Sequence, residues 1–127
     1  MNCLLMGLSR CGKSQYLSSI GQLVGSFKGF NYPVFKIIHN NQIFNVIESE
    51  TYIVPCQSIK CIFWIITSEN LVEIENTLKK IYDRYNNIPV IIIHDQDKDL
   101  SQTKLTVVSI KDDKFAPFHH ISSQLIQ

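Results

Sequence analysis

Arginine is nearly missing from this 127-residue chain: of twelve basic side chains, only Arg10 and Arg84 carry a guanidinium. Twelve basic against eleven acidic groups leave a formal charge of +1, so no basic field marks a nucleic-acid partner. Long apolar runs are missing too. The longest, around Cys61 to Ile66 and Pro89 to Ile93, are far too short to span a bilayer, and Met1 leads almost directly into an apolar strand, so neither a membrane span nor a leader is expected. Asn2 stands where myristoylation needs glycine, and the last cysteine is Cys61, which leaves no C-terminal prenyl acceptor; any membrane attachment is expected through a partner. Cys3, Cys11, Cys56 and Cys61 lack C-x-x-C spacing and are expected reduced and structural, with Cys11, in a loop ahead of a helix N-terminus, the one whose thiol pKa a helix dipole would lower. No internal repeat or low-complexity segment is present. What remains, 45% hydrophobic and 18% charged, suits one compact domain whose core needs neither disulfides nor a structural metal.

The pattern along the chain alternates strand and helix. Asn2 to Met6 is a short apolar run, broken by Gly7 to Ser14 before Tyr16, Ile20, Leu23 and Val24 fall on one helical face; Gly25 is the expected C-cap and Ser26 to Pro33 the expected loop. Val34 to His39 and Gln42 to Ile47 flank Asn40-Asn41, a pair tolerant of positive φ, which predicts an antiparallel hairpin at the edge of a sheet. Cys61 to Ile66 and Val90 to Ile93 are continuous rather than alternating, the pattern of strands covered on both faces. Between them Leu71, Ile74, Leu78, Ile81, Tyr82 and Tyr85 keep a helical period, opened by the Asn70/Glu73 capping pair and supported by Glu75 four before Lys79. A strand over Leu105 to Ile110 leads through Asp112 and Asp113 into a helix with Phe115, Phe118, Ile121 and Leu125 inward and Pro117 in its first turn. The connection from Asp95 to Lys104 is at the lower limit for a crossover between parallel strands, so a loop or single turn is expected there. The sum is an α/β chain with a mostly parallel, doubly wound sheet, one antiparallel edge strand and reduced helices, binding ligand at the carboxyl ends of its strands.

One motif carries chemistry. Gly7-Leu8-Ser9-Arg10-Cys11-Gly12-Lys13-Ser14 matches the G-x-x-x-x-G-K-[ST] phosphate loop and stands between a predicted strand and a predicted helix, as that motif requires. The glycines let the loop curl so that successive backbone N–H groups face an anion, and the helix beginning near Lys13 adds its positive end. Residues Gly7, Leu8, Ser9, Arg10, Cys11, Gly12, Lys13, Ser14 and Gln15 are the candidate phosphate site, with the Lys13 ammonium for the β- and γ-phosphates and the Ser14 hydroxyl for Mg²⁺.

From Leu4 to Ser14 the sequence LLMGLSRCGKS resembles the phosphate loop of the Rag GTPases, most closely the C/D subclass. Gln42 to Asn45 resembles the family's strand into its D-x-x-G switch, Cys61 to Thr67 its next core strand, and Ile93-His94-Asp95-Gln96-Asp97 its I-H-K-x-D variant of the guanine motif. Val108-Ser109-Ile110 with Asp112 is similar to its last base-contacting loop, and Phe115 to Ile126 to its final helix. The resemblance implies a P-loop NTPase of the Ras-like G-domain type with GTP or GDP as ligand and Mg²⁺ as cofactor. It implies guanine contacts from Asp97, His94, Ser109 and Ile110, with Asp97 taking two guanine N–H groups and the backbone of Ser109 and Ile110 facing the guanine oxygen. It also implies a partner, either another Rag-like GTPase or a regulator in the amino-acid/TOR pathway, and a cytoplasmic protein recruited to a lysosomal or vacuolar surface through partners. The family's C-terminal dimerisation domain is expected to be absent, leaving residues 1–127 as one G domain.

The chain departs from that pattern in its switch. Where D-x-x-G is expected it reads Asn45-Val46-Ile47-Glu48, so neither the carboxylate of the Mg²⁺ outer shell nor the switch glycine is expected there. The nearest following glutamine is Gln57, Gly25 to Pro33 holds no threonine, with Ser26 and Tyr32 its only hydroxyls, and Asp95 replaces the lysine that would cover the base. No catalytic residue is assigned, and hydrolysis is expected to be very slow or absent. Two other readings stand beside this one: a pseudo-GTPase acting as an interaction module without turnover, and a small nucleotide kinase, which would need more guanidinium groups around the transferred phosphoryl than Arg10 and Arg84 supply.

Overall fold

The computed structural model of the chain describes residues 1–7, 12–27, 32–49, 59–66, 76, 79–80, 83, 88–94 and 106–125. Seven strands, β1 (Asn2–Met6), β2 (Gln22–Phe27), β3 (Tyr32–His39), β4 (Gln42–Ser49), β5 (Ile59–Ile65), β6 (Val90–His94) and β7 (Thr106–Ser109), form one sheet in the order β2-β3-β4-β1-β5-β6-β7. All neighbours from β4 onward pair in parallel, while β3 runs antiparallel to both β2 and β4. Two helices with full bounds accompany them, α1 (Lys13–Ile20) and α2 (Ala116–Leu125).

Pleating sorts the strand residues between two cores. Cys3 and Leu5 of β1, Cys61, Phe63 and Ile65 of β5, and Ile91 and Ile93 of β6 pack on the face carrying Tyr16, Leu17 and Ile20 of α1 and Phe118 and Ile121 of α2. Leu4, Met6, Ile62, Trp64, Ile66 and Ile92 fill the opposite face. The continuous apolar runs thus become strands buried on both sides, as their pattern predicts. Phe118 sits edge-on to Phe44 with ring centroids 5.1 Å apart and meets Phe63 at the same separation, which fixes α2 against β4 and β5. Cys3 and Cys61 face each other across β1 and β5, both fully buried and unbridged. Burial, and then the neighbouring Cys3 thiol, pushes the Cys61 thiol far up, so it packs as a neutral group.

The Asn40-Asn41 turn adopts positive φ at both residues, 50° and 63°, and closes the β3–β4 hairpin in two residues. Three expectations fail beside it. Helix α1 stops at Ile20, not near Gly25, and Leu23 and Val24 belong to β2. The reason is steric: a Cβ at Gly21 would lie 2.6 Å from the Lys36 carbonyl oxygen and from the Ile37 side chain, so the chain passes hard against β3 at this point. The Gly21 amide still closes the helix by donating to the Leu17 carbonyl at 2.9 Å. Ser26 and Pro33, expected in a loop, are paired strand residues, and the hairpin is one strand inside the edge that β2 forms.

Asn76, Lys79, Lys80 and Asp83 are helical, within the expected crossover between β5 and β6. The Asn70/Glu73 cap, Glu75, the apolar stripe of that helix and the Asp95 to Lys104 connection lie outside the described residues.

Candidate functional site

Strand β1 delivers the chain to Gly7 at the carboxyl end of the sheet, and α1 begins six residues later at Lys13. Gly12, just before the helix, has φ 93°, a left-handed conformation that glycine adopts without a Cβ penalty. Lys13 is 4% exposed, and its ammonium donates to the Gly7 carbonyl at 3.0 Å across the mouth of the loop. Leu8, Ser9, Arg10 and Cys11 lie outside the described residues. The described parts of the loop are its two ends, its cation and the first turn of its helix.

Ser14 reveals a residue that the sequence reading missed. Its hydroxyl donates to the Glu48 carboxylate, at 2.5 and 2.7 Å from the two oxygens. Strand β4 pairs with β1 so that Glu48 stands beside Leu5, which brings a carboxylate to the same sheet end as the phosphate loop. The switch carboxylate expected to be missing at Asn45 thus has a counterpart three residues on, in Glu48. Matching the D-x-x-G spacing by sequence set Asn45 in the acidic position, whereas the strand register puts Glu48, three residues on, at the hydroxyl. An acidic residue near the carboxyl end of the strand that follows the hairpin was the available signal. A hydroxyl that donates its proton to a carboxylate keeps its lone pairs, so Ser14 and Glu48 are the two side chains here that could offer oxygen ligands to a hard divalent cation. Among the described residues no cluster of three or more His, Cys, Asp or Glu side chains gathers as a metal site by itself.

The other expected contacts come from β6 and β7. His94 ends β6 opposite Ser109 of β7, is 8% exposed, and has its Nδ1 buried without a hydrogen-bond partner among the described residues. The Ile110 amide, expected to face a base oxygen, donates instead to the His94 carbonyl at 2.8 Å and extends the strand pairing by one residue. That donor is engaged, and the Lys111 amide next along meets the Ser109 hydroxyl at 3.3 Å. Asp97, with Asp95 and Gln96, lies outside the described residues. Ser26, considered as a cation ligand, is an exposed residue of β2.

A cavity of about 500 Å³ lies beside the start of α1. It is lined by Gly12, Gln15, Tyr16 and Ser19 from the phosphate side, by Ile65 of β5, and by Ile110, Lys111 and Lys114. The wall residues Tyr16, Ser19, Lys111 and Lys114 were not singled out by motif reasoning, because they belong to helix and loop positions with no fixed residue signature. Among the described residues no helix is long and apolar enough to cross a membrane.

No protein-family model matches this sequence, and no curated protein matches it. Solved structures do. The G domain of the FeoB iron transporter of T. maritima superposes with a TM-score of 0.67 over 99% of this chain and 96% of that chain, at 12% identity. The small GTPase Arl6 (BBS3) of Trypanosoma brucei, solved with the nucleotide analogue GppNp, superposes with a TM-score of 0.62 over 98% and 96%, at 9% identity. The fold is that of a P-loop GTPase G domain: a mostly parallel seven-stranded sheet with the phosphate-loop segment between its central strand and first helix.

Proposed function

We propose that the chain binds a guanine nucleotide, GTP or GDP, at the carboxyl ends of β1, β4, β6 and β7. The observation that carries this reading is the combination of three features where β1 passes into α1. Gly12 is left-handed, Lys13 is buried with its ammonium on the Gly7 carbonyl, and Ser14 is hydrogen-bonded to Glu48. A buried ammonium held by a carbonyl is poised to exchange that neutral acceptor for phosphate oxygens, a stronger charge-assisted contact. Ser14 and Glu48 would hold Mg²⁺, which would neutralise phosphate charge. The superposition on an Arl6 structure solved with GppNp supports nucleotide as the ligand class.

Guanine preference rests on Asp97, whose carboxylate would accept both N–H groups of guanine, an arrangement that adenine cannot satisfy. The resemblance of Leu4 to Ser14 and of Ile93 to Asp97 to the Rag C/D subclass favours a role as a partner-dependent signalling subunit in amino-acid sensing by the TOR pathway. Hydrolysis is slow or absent, because no glutamine follows Glu48 closely enough to orient a water. Two measurements test these roles. GTP and ATP titrated with Mg²⁺ against wild type and Asp97→Ala should show a guanine preference that the variant loses. Phosphate release from Mg²⁺-GTP should stay near the Lys13→Ala background; rapid unaided turnover would contradict the assignment of a missing water-orienting group.

A further inference from the structure

We propose that Tyr16 is a positioning residue that ties the phosphate-holding helix to the base-facing wall of the same cavity, so that the two ends of a purine nucleotide are gripped at a fixed separation. The inference rests on the nucleotide reading above. Tyr16 lies one turn into α1, and its own amide donates to the Gly12 carbonyl at 2.9 Å, at the point where the phosphate loop meets the helix. Its hydroxyl donates to the Lys114 carbonyl at 2.6 Å, joining positions 98 residues apart. Gly12, Tyr16 and Lys114 all line the cavity, and Tyr16 is hydrogen-bonded to both of the others, so it links them directly.

A strut is useful only if both of its ends are stiff. The near end is the first turn of α1. At the far end, the Ile110 amide is tied to His94, the Lys111 amide to Ser109, and the Phe115 amide to the Asp113 carboxylate at 2.9 Å. The Asp113 carbonyl also accepts from the Ala116 amide at 3.2 Å, closing the turn that starts α2. Burial, with the Asp113 carboxylate adding to it, pushes the Tyr16 phenol well above the usual tyrosine range, so it remains a donor at any physiological pH. Core packing alone would be served by phenylalanine; the hydroxyl is what reaches Lys114.

The test separates the phosphates from the base. Calorimetry with Mg²⁺-GTP and with Mg²⁺-tripolyphosphate, which has no base, is run on wild type and Tyr16→Phe. We expect the GTP affinity of the variant to fall about tenfold, the size one unmade buried hydrogen bond supports, and the tripolyphosphate affinity to fall several-fold less. Equal losses for both probes, or none for either, would overturn the strut while leaving nucleotide binding intact. Failure of wild type to bind either probe would overturn the nucleotide reading and the strut with it. Should Tyr16→Phe not fold, hydrogen exchange on wild type decides the matter. Tripolyphosphate alone should then slow the amides of residues 110–116, and should do so equally in the Lys111→Ala/Lys114→Ala double variant, which removes any direct contact with either ammonium; protection confined to α1, or lost in that variant, would contradict the coupling.

Discussion

The two wings of the sheet follow different rules. In the parallel wing, β1, β5 and β6 are buried on both faces, and nearly every residue from Cys61 to Ile66 and from Ile91 to Ile93 is sealed from solvent. In the antiparallel wing, β3 and β4 bury Phe35, Ile37, Phe44 and Val46 on the helical face, whereas Ile38 and Ile43, paired across the strands, are 60% and 48% exposed. Leu23 and Val24 of β2 are 58% and 53% exposed. An apolar residue in this chain therefore means core only when its strand has cover on that face. The candidate site lies where the two wings meet: β1 supplies the phosphate loop, and β4, the last strand of the hairpin, supplies Glu48.

Urea unfolding puts the largest number on this contrast. Phe63→Ala, in the middle of the parallel wing, should cost about 3–5 kcal/mol, since a fully buried ring leaves a cavity. A cost near 1 kcal/mol would mean that the two-sided core is loosely packed. At the seam between the wings, Glu48→Gln should weaken Mg²⁺-dependent nucleotide binding about 10- to 100-fold, the range for a group that orients a metal ligand, while leaving magnesium-free binding much less affected. An equal loss in both conditions would assign Glu48 a purely structural role.

These two variants also mark what was legible in the sequence. The runs CIFWII and VIII announce two-sided burial, because no polar residue interrupts either. The Asn-Asn turn is readable because few residue pairs tolerate positive φ twice in succession. The phosphate loop is legible because its backbone geometry demands glycine at fixed places. The extent of α1 was not, because Leu23 and Val24 continue a helical period by coincidence, and the contact that ends the helix is with Lys36, on another strand. Glu48 escaped for a related reason: strand register, not spacing along the chain, sets which residue meets Ser14. Tyr16 and Lys114 are joined across 98 positions by a carbonyl, a group every residue has.

Gly21→Ala tests the passage from α1 into β2, where the chain runs against β3 of the antiparallel wing. With a backbone oxygen 2.6 Å from the new Cβ, β3 must shift, and a loss of about 1–3 kcal/mol is expected in the same unfolding assay. A neutral result would show that the approach of α1 to β3 is looser than described. The smallest effect belongs to the exposed wing: Ile38→Thr should move stability by about 0.5 kcal/mol or less, because the side chain has little burial to lose. A cost of several kcal/mol there would mean that the open face is covered in solution and would break the contrast between the wings.

Titration of Mg²⁺-GTP into wild type and Lys13→Ala by calorimetry addresses the central claim most directly. One-to-one binding by wild type, weakened by roughly two orders of magnitude when the buried ammonium and its charge-assisted contacts are removed, is the predicted result. Absence of heat with wild type, or undiminished affinity in Lys13→Ala, would contradict it.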